Sequence, residues 1–208
     1  MNIVTMGRRA VQKSLPYDAE LDYLILTGIQ YINCGFKANT STTKLIIQII
    51  PTDLSKTQGV FGSRNATSPG AGSCNCFILS GGIRPDWASA TSAGNAASTK
   101  IGIVQDSQYD IEITRGYFKI NDSEYFYENS DSVNQSGDFL IGNFSNPTYP
   151  FSQGFVGKIG KAMVYENGIP IRDYSPVRVG QVGYFYDKVS DRLFEDKSGV
   201  GFILGPDK

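Results

Sequence analysis

Residues 109–127 read YDIEITRGYFKINDSEYFY, and this stretch decides the fold. Apolar and polar side chains alternate strictly over its first six residues. A period of two is typical of a β-strand that buries one face. The Asn-Asp-Ser cluster at 121–123 then separates two short aromatic runs, which predicts a β-hairpin. The stretch therefore predicts three short strands in quick succession.

Strand signals recur along the rest of the chain. The near-continuous apolar run LIIQII at 45–50 predicts a strand covered on both faces. Asn167-Gly168 predicts another hairpin, and Pro170 places its return strand at an edge or at the strand's own first residues. No window of 11 or more residues keeps a helical apolar spacing without interruption. About a dozen short strands without crossover helices predict an all-β fold, in which antiparallel sheets form a two-sheet β-sandwich of the jelly-roll type.

The middle of the chain, residues 63–99, is rich in Ser, Ala, Gly and Asn and predicts a long loop. Long irregular stretches inside a domain are usually functional or mobile. This one contains Trp87, the only tryptophan, close to Arg84 and Asp86. An aromatic ring beside planar polar groups suits sugar recognition, so these three residues are the candidate ligand-binding site. The alternative is that Trp87 packs in the core or covers a sheet edge.

Composition limits the classes of protein. A length of 208 residues fits one domain at 17–208, preceded by an N-terminal tail or arm at 1–16. The net charge is −1 and no basic stripe is present, which excludes a nucleic-acid partner. No run approaches the roughly 18 apolar residues that span a bilayer, so we expect no membrane insertion. No signal peptide is visible, so the chain stays inside the cell until release, travels in an assembly, or has lost a leader.

The three cysteines, Cys34, Cys74 and Cys76, leave at least one thiol free because their number is odd. A Cys74–Cys76 bond would close a small strained ring. A zinc site lacks the usual paired C-x2-C motifs, and the chain contains no His. We expect small, semi-buried cysteines and no evident cofactor. A calcium site built from scattered Asp and carbonyl oxygens stays open.

Both ends of the chain carry recognisable blocks: YDAELDYL at 17–24, TGIQYINCGF at 27–36, GKAMVYENG at 160–168, IRDYSPVR at 171–178 and VGYFYDK at 182–188. Together they resemble a family of concanavalin A-like (laminin-G-like) domains from gut Bacteroides-type bacteria and their phages or prophages. The resemblance covers roughly the first fifth and the last quarter of the chain. It implies a concanavalin A-like jelly roll but no particular activity.

The same blocks also have a plain physical interpretation. Arg172 and Asp173 can pair locally, and Pro176 can end a strand and set a turn. The aromatic residues 184–186 alternate between the two faces of a strand, so some enter the core. Structural roles therefore suffice to explain these residues.

Carboxylate spacing bears on catalysis, because many glucanases share the sandwich. A retaining glycosidase needs two carboxyls about 5–5.5 Å apart, which an E-x-D-x-x-E strand supplies. Glu20 and Asp22 begin that pattern, but Ile25 occupies the position of the general acid. Asp110 and Glu112 share a face that we expect to be the solvent side. Without a His, the Ser-His-Asp and Cys-His classes are excluded, and we expect no enzyme.

The leading hypothesis is a non-catalytic recognition module that binds a glycan or another cell-surface polymer through rim loops. A structural or adhesive domain of a phage tail or surface appendage, bound to other protein subunits, is the alternative. A glycoside hydrolase is a third hypothesis, which the missing acid disfavours. Each of the first two predicts an extracellular, cell-surface or virion-associated location.

Overall fold

The computed structural model describes residues 14–65, 72–88, 100–126, 132–145 and 154–208. All regular structure in these ranges is β-strand, and they contain seventeen strands. In chain order the strands are β1 (Ala19–Glu20), β2 (Leu24–Thr27), β3 (Ile32–Asn33), β4 (Thr43–Pro51), β5 (Gln58–Arg64), β6 (Ser73–Leu79), β7 (Gly82–Ala88), β8 (Ile101–Gly102), β9 (Tyr109–Thr114), β10 (Tyr117–Ile120), β11 (Ser123–Phe126), β12 (Leu140–Ile141), β13 (Val156–Glu166), β14 (Ile169–Val179), β15 (Val182–Asp187), β16 (Arg192–Phe194) and β17 (Ile203–Leu204).

The strands form two sheets. The large sheet has eleven strands, with the main order β11-β10-β9-β4-β13-β14-β15-β16 and with β1, β2 and β17 joined at its side. Along one edge β13 pairs with β4, and along the other it pairs with β2 and then with β14. The small sheet has six strands in the order β3-β12-β5-β6-β7-β8. All pairings between these strands are antiparallel, and the described ranges add two isolated parallel bridges, Gly59–Gly154 and Ser63–Ser145.

The apolar core lies between the sheets. Trp87 and Phe61 of the small sheet contact Phe139, with ring centroids 6.3 and 6.1 Å apart. Ile47 and Ile111, which pair with each other in the large sheet, are buried in the same cluster. The all-β, antiparallel two-sheet sandwich is therefore confirmed.

Both predicted hairpins are confirmed. Strands β10 and β11 join through Asn121 and Asp122, and β13 and β14 join through Asn167-Gly168. Asn167 and Gly168 adopt φ of 51° and 77°, the positive values that a tight two-residue turn requires. Pro170 is exposed and is the second residue of its strand, as predicted.

Three local predictions were wrong. Residues 63–99 do not form one long loop, because β6 and β7 run through this stretch as an antiparallel pair. Strand β4 is fully buried on one face and only partly buried on the other, so its burial alternates and the prediction that both faces are covered was wrong. Pro176 does not end a strand but lies buried inside β14, where its carbonyl accepts a hydrogen bond from Leu21 N at 2.8 Å. Strand β1 joins the sheet beside it and leads directly to that donor.

Parts of several predictions lie outside the described residues. These are residues 1–13 of the N-terminal arm, residues 66–71 and 89–99 of the middle stretch, and Tyr127 at the end of the opening motif. In the part of the chain that is described, no helix is long and apolar enough to cross a membrane.

Candidate functional site

The three predicted site residues lie on β7, but they do not form one site. Trp87 is 1% exposed, and its indole Nε1 donates a hydrogen bond to the carbonyl of Thr40 at 3.2 Å. A ring buried in this way cannot stack on a sugar, so the alternative interpretation, packing in the core, is the one observed. Asp86 and Arg84 are one and three residues away and project from the opposite face of the strand.

An open cleft lies where one edge of the small sheet meets the last strands of the large sheet. We call it the rim cleft, and its volume is about 450 Å³, within the range of small-molecule sites. Its lining consists of Asn33, Cys34, Gly35, Arg172, Tyr184, Arg192, Leu193, Phe194, Glu195 and Lys197. These residues come from two distant parts of the chain, 33–35 and 172–197, which the sandwich topology brings together.

Arg172 forms the fixed centre of the rim cleft. Its Nε donates to the carbonyl of Cys34 at 3.0 Å, so the side chain connects β14 to the segment that follows β3. Its guanidinium lies 3.8 Å from the carboxylate of Asp187 and 6.0 Å from the ring centre of Phe194. Asp187 is fully buried, and it is the carboxylate with which Arg172 pairs. The predicted local pair between Arg172 and Asp173 was therefore wrong.

Gly35 lies beside the guanidinium of Arg172. Its φ is +69°, a left-handed conformation that glycine adopts without strain. A Cβ at this position would have Arg172 Nη2, 3.7 Å away, as its nearest neighbour. The turn is held by Asn33, whose Oδ1 accepts from Gly35 N and whose Nδ2 donates to Asp138, both at 2.8 Å.

The lining of the rim cleft carries more cationic than acidic side chains, although Arg172 is paired with Asp187 behind it. Among the described lining residues, three side chains are cationic and Glu195 is the only acidic one. Lys197 pairs with Glu195 at 2.9 Å, whereas exposed Arg192 has no ion-pair partner within the described ranges. A local surplus of positive charge attracts an anionic ligand.

Aromatic rings supply the apolar part of the cleft. Phe194 and Tyr184 are half-buried, so each keeps part of its ring accessible. Phe194 is held edge-on by Tyr174, with centroids 5.2 Å apart and an interplanar angle of 82°. A partly exposed ring that packing holds in one orientation suits the apolar face of a pyranose.

None of the described lining residues is an activated nucleophile. Burial raises the pKa of the Cys34 thiol to about 12, so the thiol stays protonated at neutral pH. Burial likewise raises the pKa of the neighbouring Tyr174 phenol well above its usual value. Cys74 and Cys76 are also buried, and all three thiols are free.

Of the other acidic candidates, Glu20 is engaged by neighbouring side chains. Glu20 accepts a hydrogen bond from Tyr17 at 3.2 Å and lies 3.8 Å from Lys208 Nζ, while Asp22 is exposed. Among the described residues, no group of three or more His, Cys, Asp or Glu side chains is placed to hold a metal ion.

Comparisons with known proteins add little to this site. No protein-family model matches the chain, and no curated protein matches it. Among solved structures, the chain is similar to the native heptameric SAP-like pentraxin from Limulus polyphemus, at 13% identity and a TM-score of 0.39. The match covers 73% of this chain and 71% of that one. A likeness this distant assigns no ligand and no activity.

The rim cleft is not apparent from the sequence. Local pattern gives Asn33, Gly35 and Arg172 only structural roles. The one local signal is Gly35, two residues after the end of a short strand, because a glycine there indicates a positive φ or a close approach.

Proposed function

We propose that this chain is a non-catalytic recognition domain whose rim cleft binds an acidic carbohydrate of a cell surface. The observation that carries the proposal is the combination of three cationic side chains with two half-exposed aromatic rings in one open cleft. A carboxylate or sulfate on the sugar would meet Arg172 and Arg192, and the pyranose would lie against Phe194 or Tyr184.

The geometry of Arg172 supports a binding role over a purely structural one. Its Nε donates a hydrogen bond to the carbonyl of Cys34 at 3.0 Å, and its Nη1 donates one to the carbonyl of Ile171 at 2.7 Å. The third nitrogen, Nη2, lies on the side of Gly35. Because the other two nitrogens already hold the guanidinium in place, a ligand that binds Nη2 costs little further side-chain entropy. The lack of an acid pair among the described lining residues favours recognition over glycoside hydrolysis.

The cellular setting of the proposal rests on the sequence resemblance alone. We place the domain outside the cell, on a cell surface or on a virion, as expected for a concanavalin A-like module of bacteria or their phages. Binding to other protein subunits of an appendage is the alternative function.

Binding to a glycan array of matched acidic and neutral oligosaccharides tests the proposal, with and without calcium. Arg192→Gln removes an exposed charge and should lower affinity for acidic glycans about tenfold, the value of one charge-assisted hydrogen bond. Lys119→Gln removes a charge from the outer face of the large sheet and is the matched control, with unchanged affinity expected.

Failure to bind any acidic glycan would contradict the proposal, as would equal affinity in Arg192→Gln. A defined oligomer in light scattering, together with no glycan binding, would instead support the appendage alternative. Release of reducing sugar from a bound oligosaccharide would overturn the non-catalytic assignment.

A further inference from the structure

A second open cleft lies on the outer face of the large sheet. Its volume is about 480 Å³, which is within the range of small-molecule sites. It shares no lining residue with the rim cleft. We call it the bulge cleft, and its lining includes Asp22, Tyr23, Gln48, Ile50, Gln108 and Lys161.

The cleft lies across a β-bulge in β13. Between two regular pairs of β13 with β4, Gly160 and Lys161 together oppose the single residue Gln48. Such an extra residue interrupts the ladder and changes the direction of the side chains beside it, and bulges are common next to active sites for this reason. Here the bulge leaves Lys161 exposed in the lining of the cleft.

The bulge also positions the side-chain amide of Gln48. A Cβ at position 160 would lie 2.4 Å from Gln48 Oε1, so Gly160 leaves the space that this amide occupies. The Nε2 of the amide donates a hydrogen bond to Asp110 at 3.1 Å, which fixes its orientation. Gln48 is half-buried, and its Oε1 accepts no hydrogen bond from the described residues. The cleft therefore presents an oriented acceptor that a ligand can reach.

The apolar part of the lining consists of Ile50 and the ring of Tyr23, which are both half-buried. Tyr23 is held between two neighbours. Lys158 Nζ lies 4.8 Å from the centre of its ring, and a Cβ on Gly205 would lie only 2.7 Å from its Cδ2. Apolar carbon beside a few convergent polar groups suits a sugar, because a sugar ring carries both C–H groups and hydroxyls.

The charges around the bulge cleft are balanced. Lys208 also lines the cleft, and its Nζ lies 3.8 Å from Glu20 Oε2. Among the lining side chains and the side chains that contact them, three are cationic and three are acidic: Lys158, Lys161 and Lys208, and Glu20, Asp22 and Asp110. A balanced set of charges has no net attraction for an anion.

We propose that the bulge cleft binds a neutral, hydroxyl-rich ligand of the class of an uncharged oligosaccharide. Gln48 Oε1 and the Asp22 carboxylate accept hydrogen bonds from its hydroxyls, and Lys161 and Gln108 donate to them. A simple anion cannot donate to the first two groups. The cleft crosses from β2 over β13 and β4 to the residue before β9, which is about 14 Å at the usual strand spacing of about 4.8 Å, and this is long enough for more than one sugar ring.

Titration followed by NMR of the glutamine side-chain amide resonances tests the proposal directly. The probes are neutral trisaccharides of glucose, galactose, mannose and xylose, with acetate as the anion. The Gln48 signal is the one that Gln48→Met removes. It should shift and saturate with at least one of the trisaccharides, and acetate should leave it unchanged.

Gly160→Ala changes the position of the Gln48 amide without removing a polar group. The φ of Gly160 lies outside the left-handed region, and the added Cβ meets only the end of a flexible side chain. Affinity for the trisaccharide, measured by calorimetry, should fall about fivefold in this variant and in Gln48→Met, the value of one neutral hydrogen bond. Gln181→Met, at the exposed turn between β14 and β15, is the matched control and should bind normally.

The absence of a saturable Gln48 shift with every trisaccharide overturns the site, as does parent affinity in Gln48→Met. Circular dichroism checks that each variant is folded, and if Gly160→Ala does not fold, Gln48→Met carries the same test. The proposal does not rest on the rim cleft, so Arg192→Gln should leave the Gln48 shift intact. Loss of the shift in that variant would show that the trisaccharide binds only at the rim cleft and would overturn a second site.

Discussion

The outer faces of the two sheets differ in how their polar side chains are satisfied. On the large sheet, Lys44 pairs with Glu112 at 3.3 Å and Gln48 donates to Asp110 at 3.1 Å. On the small sheet, Asn75 and the Nε of Arg84 are buried without partners in the described ranges. Asn75 is 0% exposed, whereas Lys44 and Glu112 keep 32% and 30% of their side chains exposed, so the polar side chains compared here are buried more deeply on the small sheet.

The largest expected effect concerns the inner side of the small sheet. Trp87→Ala should lower the free energy of unfolding by about 3–5 kcal/mol, because it leaves a cavity in the core. Phe126→Ala on the large sheet is the control. This side chain is 74% exposed, and its removal should change stability by at most about 0.5 kcal/mol.

Urea unfolding monitored by circular dichroism measures both changes. A loss below about 1 kcal/mol for Trp87→Ala would show that the indole does not pack between the sheets, and would reopen its interpretation as a ligand-binding ring.

The same difference between the sheets explains how far sequence alone predicts the fold. The large sheet alternates apolar and polar residues, so its strands and hairpins are recognisable at 109–127 and around Asn167-Gly168. Strands β5 and β6 are buried on both faces and contain Gly, Ser and Asn. They show no alternation, so the sequence around β6 and β7 has the composition of a loop. That misleading composition is also why Trp87 is predicted to lie on a binding surface.

The candidate sites are harder to predict from the sequence than the fold is. Arg84 and Asp86 lie on one strand, but Arg64, which pairs with Asp86, and Asn75, which faces it, are on other strands. In the rim cleft, Arg172 lies 138 residues from the Cys34 carbonyl that it contacts. Such long-range contacts depend on sheet order, which local periodicity does not determine.

The second prediction compares one ion pair from each outer face. Asp86→Asn should lower the free energy of unfolding by about 1.5–3 kcal/mol, because Arg64 loses a charged hydrogen-bond partner in a site that is only 15% exposed. Glu112→Gln breaks the pair with Lys44, whose side chain is 32% exposed, and should cost at most about 1 kcal/mol.

Chemical denaturation at low and high salt measures this difference. Added salt should weaken the contribution of Glu112 more than that of Asp86, since exposed pairs are screened more strongly. Equal costs for the two substitutions would contradict the distinction between the faces.

The smallest expected effect is the part of the alkaline pH dependence of stability that the three thiols cause. All three thiols lie on or directly beside the small sheet. Burial raises the pKa of Cys34 to about 12, whereas an unfolded thiol ionises near about 8.5. Between these values the unfolded state binds fewer protons, so the free energy of unfolding falls as pH rises. One such thiol contributes a loss of about 1.4 kcal/mol per pH unit. Cys34→Ala should therefore lose about 1.4 kcal/mol less than the parent chain between pH 9 and 10 in urea titrations, and identical losses would show that Cys34 ionises freely in the fold.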